Sequence, residues 1–261
     1  MIFFFSGTGN SRFTAYRLAD ILDEKPCFIP SSIPEEVLFE GSQLGFVFPV
    51  YSWGVPPLVL NFIRRLSDSF CGIIKTHHIP VWAVCTCGDD TGLTPEMLKK
   101  ELEAKGLNMS GAWSVTMPNT YVLLPGFDVD SQEVCANKLE YAQIRVDEIG
   151  RQIKSANWKI DVIRGKFPWL KSHLIYPLFS RWGINTSRWH WTSSCIGCGR
   201  CAAVCPVRNI EISEGHPKWD IRCVSCLACY HICPVHAVAY GKITRMKGQY
   251  TCPLPLSHSQ Q

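Results

Sequence analysis

One stretch decides the fold of the second half of the chain: Cys195-Ile-Gly-Cys198-Gly-Arg-Cys201-Ala-Ala-Val-Cys205-Pro206. Its spacing, C-x2-C-x2-C-x3-C-P, returns in Cys223-Val-Ser-Cys226-Leu-Ala-Cys229-Tyr-His-Ile-Cys233-Pro234. Eight of the 14 cysteines therefore lie between residues 195 and 233. Cysteines gathered in this way indicate metal ligands, whereas the disulfides of a small secreted domain are spread along the chain.

The repeated spacing suits an iron–sulfur cube. A 4Fe–4S cluster is held by four thiolates, and in paired motifs of this kind the fourth cysteine of each run binds the other cluster. The predicted ligands of the first cluster are Cys195, Cys198, Cys201 and Cys233, and those of the second are Cys223, Cys226, Cys229 and Cys205. Zinc ribbons use four ligands in two C-x2-C knuckles, so the three-cysteine runs and trailing prolines disfavour zinc. Disulfides would need an oxidising compartment, which nothing in the sequence indicates.

Residues 191–240 resemble the bacterial-type ferredoxin with two 4Fe–4S clusters. The resemblance implies a small α+β domain of roughly fifty residues, which has little core of its own. Its folding is therefore expected to depend on the clusters.

The first half of the chain alternates apolar runs with helix-compatible segments. Runs at 1–5, 43–50, 79–86 and 109–117, with a weaker one at 27–30, predict five strands, and residues 128–154 predict the closing helix. Strands separated by helices favour an α/β fold with a doubly wound, mainly parallel sheet. In such a sheet, ligands bind beyond the carboxyl ends of the strands.

The loop after the first predicted strand suits a phosphate group. It combines two glycines with hydroxyl and amide side chains at a predicted helix N-terminus, in Ser6, Gly7, Thr8, Gly9, Asn10 and Ser11. It is not a Walker loop because no Lys-Ser/Thr pair follows, and Arg12 replaces the third glycine of the dinucleotide fingerprint. A monophosphate is therefore expected, the alternative being a simple helix cap.

Phe5 to Ser11 resembles the phosphate loop of flavodoxins, which bind FMN. The resemblance implies that the loop at 49–56 places an aromatic ring against the flavin, Trp53 in the first place and Tyr51 in the second, with Gly54 beside them. It also implies backbone contacts to the polar edge of the ring from Thr86, Cys87, Gly88 and Asp89. Many flavodoxins carry a second aromatic in that loop, so one flavin face is expected to be either open or covered by another segment, such as residues 119–121. The alternatives are that Trp53 is a core aromatic and Cys87 a small buried residue.

Charge divides the chain in two. Residues 1–150 hold 11 Lys and Arg against 18 Asp and Glu, and residues 151–261 hold 15 against 4. The basic residues are scattered and no helix-turn-helix motif accompanies them, so nucleic acid is not an expected partner. Opposite charges favour docking of the two halves, with the flavin near one cluster. The alternative is that the Lys and Arg side chains only keep a linker solvated and compensate the negative charge of the clusters.

Four units are predicted: a flavodoxin-like FMN domain at 1–154, a basic aromatic linker at 155–190, the ferredoxin domain at 191–240 and a tail at 241–261. We expect the aromatic rings of the linker to pack against both domains, the alternative being a segment that lies on a membrane surface. The tail is expected to be ordered to about Pro255, and Cys252 has no evident partner. No apolar run is long enough to span a bilayer and no leader peptide is recognisable, so a cytoplasmic protein without a transmembrane segment is expected.

As a whole, the chain resembles the flavodoxin–ferredoxin fusions of anaerobic bacteria and archaea. The resemblance implies electron transfer between the clusters and FMN, and onward to a redox partner protein. An FMN-dependent reductase of a small organic substrate, fed by its own clusters, is the alternative, and a redox sensor is a third. No acid–base pair stands out beside the flavin loops, which favours the carrier. Residues 118–126 would distinguish the carrier from the reductase, because a pocket that they form over the flavin favours the enzyme and a bare flavin edge favours the carrier.

Overall fold

The computed structural model of the protein describes residues 1–32, 34–183 and 185–255. Its centre is a sheet of six parallel strands in the order β2-β1-β3-β4-β5-β6. The strands are β1 Ile2–Phe4, β2 Pro26–Phe28, β3 Leu44–Pro49, β4 Val81–Cys87, β5 Met109–Thr116 and β6 Ile160–Asp161. The α/β class and the parallel sheet are confirmed. The sheet has six strands where five were predicted, because Ile160 and Asp161 of the predicted linker pair with Ala112 and Trp113 of β5.

Helices cover both faces of this sheet. They are α1 Asn10–Leu22, α2 Pro57–Arg64, α3 Asp68–Thr76, α4 Thr94–Ala104 and α5 Gln132–Lys154. Successive strand residues point to opposite faces, so Phe3 packs into one core cluster with the side chains of α2 to α4, and Phe4 packs into the other with those of α1 and α5. Strands buried on both faces read as continuous apolar runs, which is why Met1 to Phe5 is apolar throughout. The chain reverses its strand order between β1 and β3, and this reversal opens a crevice at the carboxyl edge of the sheet.

A helical segment at 168–183, hereafter the bridging helix, follows β6. It alternates α and π hydrogen bonding in α6 Pro168–Leu170, a π turn at Lys171–Ile175, α7 Tyr176–Leu178 and a second π turn at Phe179–Gly183. The expectation that the linker tryptophans pack inward holds for Trp158, which contacts Trp113, and for Trp189, which is buried. It fails for Trp169 and Trp182, which are 66% and 63% exposed.

The cysteine-rich part is built from short elements. Two antiparallel pairs form, β7 Trp189–Trp191 with β10 Val238–Tyr240 and β8 Ile210–Ser213 with β9 His216–Trp219. Two one-turn helices, α8 Arg200–Ala203 and α9 Ala228–His231, lie within the two cysteine runs. A third core cluster joins Trp189, Tyr230 and Val238 to Val122 and Leu123, which precede α5, so this part is packed onto the α/β fold. Among the described residues no helix has both the length and the apolar character needed to cross a membrane.

Candidate metal centres

The structure brings the eight cysteines together in two groups of four. Cavity 1 is lined by Cys195, Cys198, Cys201 and Cys233. Cavity 2 is lined by Cys205, Cys223, Cys226 and Cys229. Each cavity thus takes three cysteines from one run and the fourth from the other, which is the crossed grouping expected from the spacing.

Both runs use the same backbone device. A residue with positive φ, Gly199 in the first run and Leu227 in the second, precedes a one-turn helix that carries the third cysteine. The fourth cysteine then accepts a backbone hydrogen bond from four residues further on: Asn209 N–H lies 3.2 Å from Cys205 Sγ and Ala237 N–H lies 3.1 Å from Cys233 Sγ. Ser225 N–H also donates to Cys223 Sγ, at 3.3 Å. N–H donors aimed at ligand sulfurs stabilise negative charge on them.

The chemistry of cavity 2 fits an iron–sulfur cluster. Burial raises the pKa of Cys226 to about 12 and raises that of Cys223, because a thiolate without a counter-ion is unfavourable inside the protein. Iron supplies the missing positive charge and deprotonates such thiols. The buried Nε1–H of Trp219, whose ring lines this cavity, makes no full hydrogen bond within the described residues but interacts with Cys229: burial raises the pKa of that thiol and the indole N–H lowers it, so a ligand or cluster sulfur would accept this donor. Sequence reasoning missed Trp219 because no motif includes it, although it lies shortly before Cys223.

The two cavities differ in their access to solvent. Cys198 is exposed, and its neighbour Ile196 is 64% exposed, so cavity 1 opens to the surface. At cavity 2, Val224 and Cys226 pack against the core of the α/β fold, and the half-buried Tyr51 has a pKa raised above its usual value, first by burial and then by the nearby Cys226 and Cys223. Cavity 2 therefore lies at the carboxyl edge of the sheet.

The predicted phosphate loop also lies at this edge. Ser11 Oγ and Thr86 Oγ1 are 2.8 Å apart, which joins the loop after β1 to the end of β4, and Asn10 Nδ2 donates to Pro118 O at 3.1 Å. The backbone N–H groups of Asn10, Ser11 and Arg12 make no hydrogen bond with any described residue, and Gly9 gives no side-chain cap. The first turn of α1 thus keeps the free donors that an anion would use.

The mouth of that loop is filled by the chain itself. Gly7 lies against the Cys226 carbonyl, and a Cβ at this position would overlap it. The backbone N–H of Cys252 donates to Thr8 O at 2.8 Å, and Tyr250 Oη donates to Asn10 Oδ1 at 2.7 Å. A Cβ on Gly9 would lie 2.8 Å from Cys252 Cβ. The Cys226 carbonyl and the tail therefore lie against the loop that is predicted to bind the FMN phosphate. Sequence reasoning gave the tail no role and found no partner for Cys252.

The other residues predicted to contact FMN are covered by the bridging helix and by the loop before α5. Ser172 Oγ donates to Trp53 O at 2.7 Å, Lys171 Nζ lies 4.9 Å above the Trp53 ring, and Gly54 packs against the Tyr176 ring. Tyr51 contacts Phe179 edge to face. At the end of β4, Gly88 packs against Asn119, Asp89 is exposed, and burial raises the pKa of Cys87 to about 12. These residues share one edge of the sheet, as expected, and the three aromatic side chains at 51, 53 and 121 are half-buried there.

Comparison with known proteins assigns the cysteine-rich part. Residues 194–238 match a family model described as a 4Fe-4S dicluster domain. A solved structure, "The Structure of Trp Repressor Binding Protein from Bacillus subtilis", is similar at 18% identity over 44% of this chain and 82% of that chain, with a TM-score of 0.36. No curated protein matches the chain. Residues 194–238 are therefore a 4Fe–4S dicluster ferredoxin domain, which supports an iron–sulfur electron-transfer role.

Proposed function

We propose that this chain is an electron carrier in which two 4Fe–4S clusters serve as relay and a redox protein is the partner. The observation that carries the proposal is the pair of four-cysteine cavities with unequal exposure. The clusters would supply one-electron chemistry, and the chain would hold them and set their potentials through N–H donors, burial and charge.

Cavity 1 is the proposed point of exchange with the partner. Its rim is apolar at Ile196 and Val235, both of which are exposed, and basic at the exposed Arg200. A small apolar contact with a charged rim is typical of transient interfaces, and a basic rim steers an acidic partner towards it. Cavity 2, packed on the sheet edge, is the proposed inner store.

Anoxic purification with iron and sulfide analysis tests this proposal. About eight irons per chain are expected for two cubes. Cys198→Ser should damage the first cluster and leave the second, whereas Cys226→Ser should do the reverse, as read by electron paramagnetic resonance. Cys205→Ser tests the crossed grouping, because it should damage the cluster that Cys226→Ser damages. A chain that holds zinc, or holds no metal, would contradict the proposal.

An FMN-dependent reductase is the second candidate. The strand order 2-1-3-4-5 of the first five strands and the uncapped first turn of α1 support a flavin site, whereas Cys226, Tyr250 and Cys252 stand in its way. FMN binding therefore requires the tail to leave the loop. Fluorescence titration of FMN tests the flavin site: a carrier that relays electrons through its two clusters alone needs no flavin, whereas the reductase must bind FMN. A Tyr250→Phe, Cys252→Pro variant removes both tail hydrogen bonds, and binding by this variant alone would show a flavin site closed by the tail.

A further inference from the structure

The bridging helix presents an apolar stripe outward. Its members recur at steps of three and four residues, so they lie along one side of a helix. They are Phe167, Leu170, Leu174, Leu178 and Trp182, with exposed fractions of 74%, 44%, 52%, 45% and 63%. Trp169, also exposed, stacks on His173 at one end, and Arg181 lies over the ring of Trp182 at the other. We call the five residues the outer stripe.

The opposite face of the same helix is fixed to the α/β fold. Ser172 accepts a hydrogen bond from Leu93 N–H at 2.8 Å and donates to Trp53 O. Tyr176 is buried and its Oη donates to Val55 O at 2.6 Å. The helix is therefore held in one orientation, and the outer stripe faces solvent because the polar anchors face the protein.

A neighbouring loop adds to the exposed apolar surface. The ring of Phe179 contacts that of Tyr121, which contacts that of Phe127. Phe127 and Leu124 are both about half exposed in this loop, and Lys247 Nζ donates to the carbonyl oxygen of each. Apolar side chains of this size seldom stay in water as a continuous surface without a binding function.

The charge around the stripe has one sign. No Asp or Glu occurs between Val162 and Ile210, whereas this stretch contains seven Arg and Lys. Arg164 and Lys171 are paired with Glu96 and Asp90 of the α/β fold. Lys166 and Arg181, which flank the stripe, are exposed and have no carboxylate within ion-pair distance among the described residues.

We propose that the outer stripe binds the surface of an anionic lipid bilayer, so that the protein lies peripherally on a membrane. The stripe combines leucine and phenylalanine for the acyl boundary, tryptophan at the headgroup level and flanking cations for lipid phosphate, which is the composition of helices that lie in the interface plane. A single helix face without a groove suits a fluid surface better than it suits a folded partner. The proposal is independent of the electron-transfer role.

Flotation of the cluster-loaded full chain with vesicles under anoxic conditions tests the proposal. Vesicles of phosphatidylglycerol mixed with phosphatidylcholine should carry the protein, vesicles of phosphatidylcholine alone should carry much less, and high salt should weaken binding. The triple variant Leu170→Ser, Leu174→Ser, Leu178→Ser should lower the partition coefficient at least about tenfold, because three exposed side chains no longer enter the acyl boundary. Lys166→Glu with Arg181→Glu should remove the preference for anionic vesicles.

The matched control is Tyr141→Ser with Ile144→Ser on α5, two exposed apolar residues far from the stripe in sequence, which should leave flotation unchanged. Failure of the wild-type chain to float with anionic vesicles at low salt would overturn the proposal, as would equal flotation of the triple variant. A dimer in sedimentation velocity that the triple variant abolishes, without flotation of the wild type, would assign the stripe to a second copy of the chain instead.

Discussion

Replacing Trp219 by Phe should lower the reduction potential of the second cluster. The indole N–H is buried at cavity 2 and interacts with the predicted ligand Cys229, so a sulfur of the second cluster or of its ligands is the acceptor that the site provides. The reduced cluster carries one more negative charge than the oxidised one and gains more from a donor. Phe keeps an aromatic ring but removes the N–H together with the five-membered ring of the indole, so only part of the packing against Trp189, 6.3 Å away between ring centres, should be retained.

The size of the shift follows from the strength of one hydrogen bond. A hydrogen bond to a charged acceptor contributes about 1.5–3 kcal/mol. If roughly half of this distinguishes the two oxidation states, the reduced state loses about 1 kcal/mol. A tenfold change in a one-electron equilibrium corresponds to about 59 mV or about 1.4 kcal/mol, so the potential should fall by about 40 mV.

The assay is an anoxic redox titration followed by electron paramagnetic resonance, with iron content measured on the same sample. Trp191→Phe is the matched control, because Trp191 stacks on His216 at 3.9 Å and does not line cavity 2. Its potentials should equal those of the wild type. A Trp219→Phe chain that retains its iron and titrates with wild-type potentials would refute the reasoning, and so would a shift of the first cluster alone.

Three further outcomes are expected. Gly7→Ala should destabilise the loaded chain by about 1–3 kcal/mol in thermal unfolding, because the added Cβ overlaps the Cys226 carbonyl. The control is Gly72→Ala in α3, where a Cβ meets nothing within 4 Å, and it should be neutral or slightly stabilising. Equal effects of the two substitutions would contradict the close approach of Gly7 to Cys226. Cys87, with a pKa near 12, should stay protonated and should not be alkylated by iodoacetamide at pH 8, while the half-exposed Cys27 reacts. Early labelling of Cys87, read by mass spectrometry, would show that the carboxyl edge of the sheet is open to solvent. Chelation of iron should raise amide hydrogen exchange in β7 to β10 and leave β3 to β5 protected, since the core of the parallel sheet contains no predicted cluster ligand. Uniform loss of protection would show instead that both parts of the chain unfold as one cooperative unit.

The sequence allowed the cysteine grouping and the parallel sheet to be predicted, because both depend on local spacing. The crossed sets in cavities 1 and 2 follow from runs of twelve residues, and β3 to β5 follow from apolar runs between turns. Strand β6 was missed because two residues have no periodicity to detect. The exposure of Trp169 and Trp182 was missed because aromatic composition does not show which helix face a partner covers.

Gly7 shows why the covered loop could not be predicted. The loop was interpreted as a phosphate site because its glycines let another group approach the backbone closely. In the structure another group does approach the loop backbone closely, but it belongs to the chain itself: the Cys226 carbonyl lies against Gly7, and the backbone N–H of Cys252 donates to Thr8 O. Both contacts join residues more than 200 positions apart, and neither spacing nor composition records such a pair.

The position of this loop also bears on the order in which the two clusters accept electrons. The uncapped N-terminus of α1, the positive end of a helix dipole, lies beside the Cys226 loop, and a helix N-terminus favours negative charge within its first turn. Cavity 1 has no α/β helix at its lining and is open to water at Cys198. Trp219 acts in the same direction as the helix, because its N–H is available only to the second cluster. Burial at cavity 2 opposes both effects, because it disfavours the extra negative charge of the reduced cluster. We expect the N–H donors to outweigh burial, so that the second cluster has the higher potential and holds the electron that the first cluster exchanges with a partner. The titration described above, with Cys198→Ser and Cys226→Ser to assign the signals, would contradict this order by showing equal potentials or a higher potential for the first cluster.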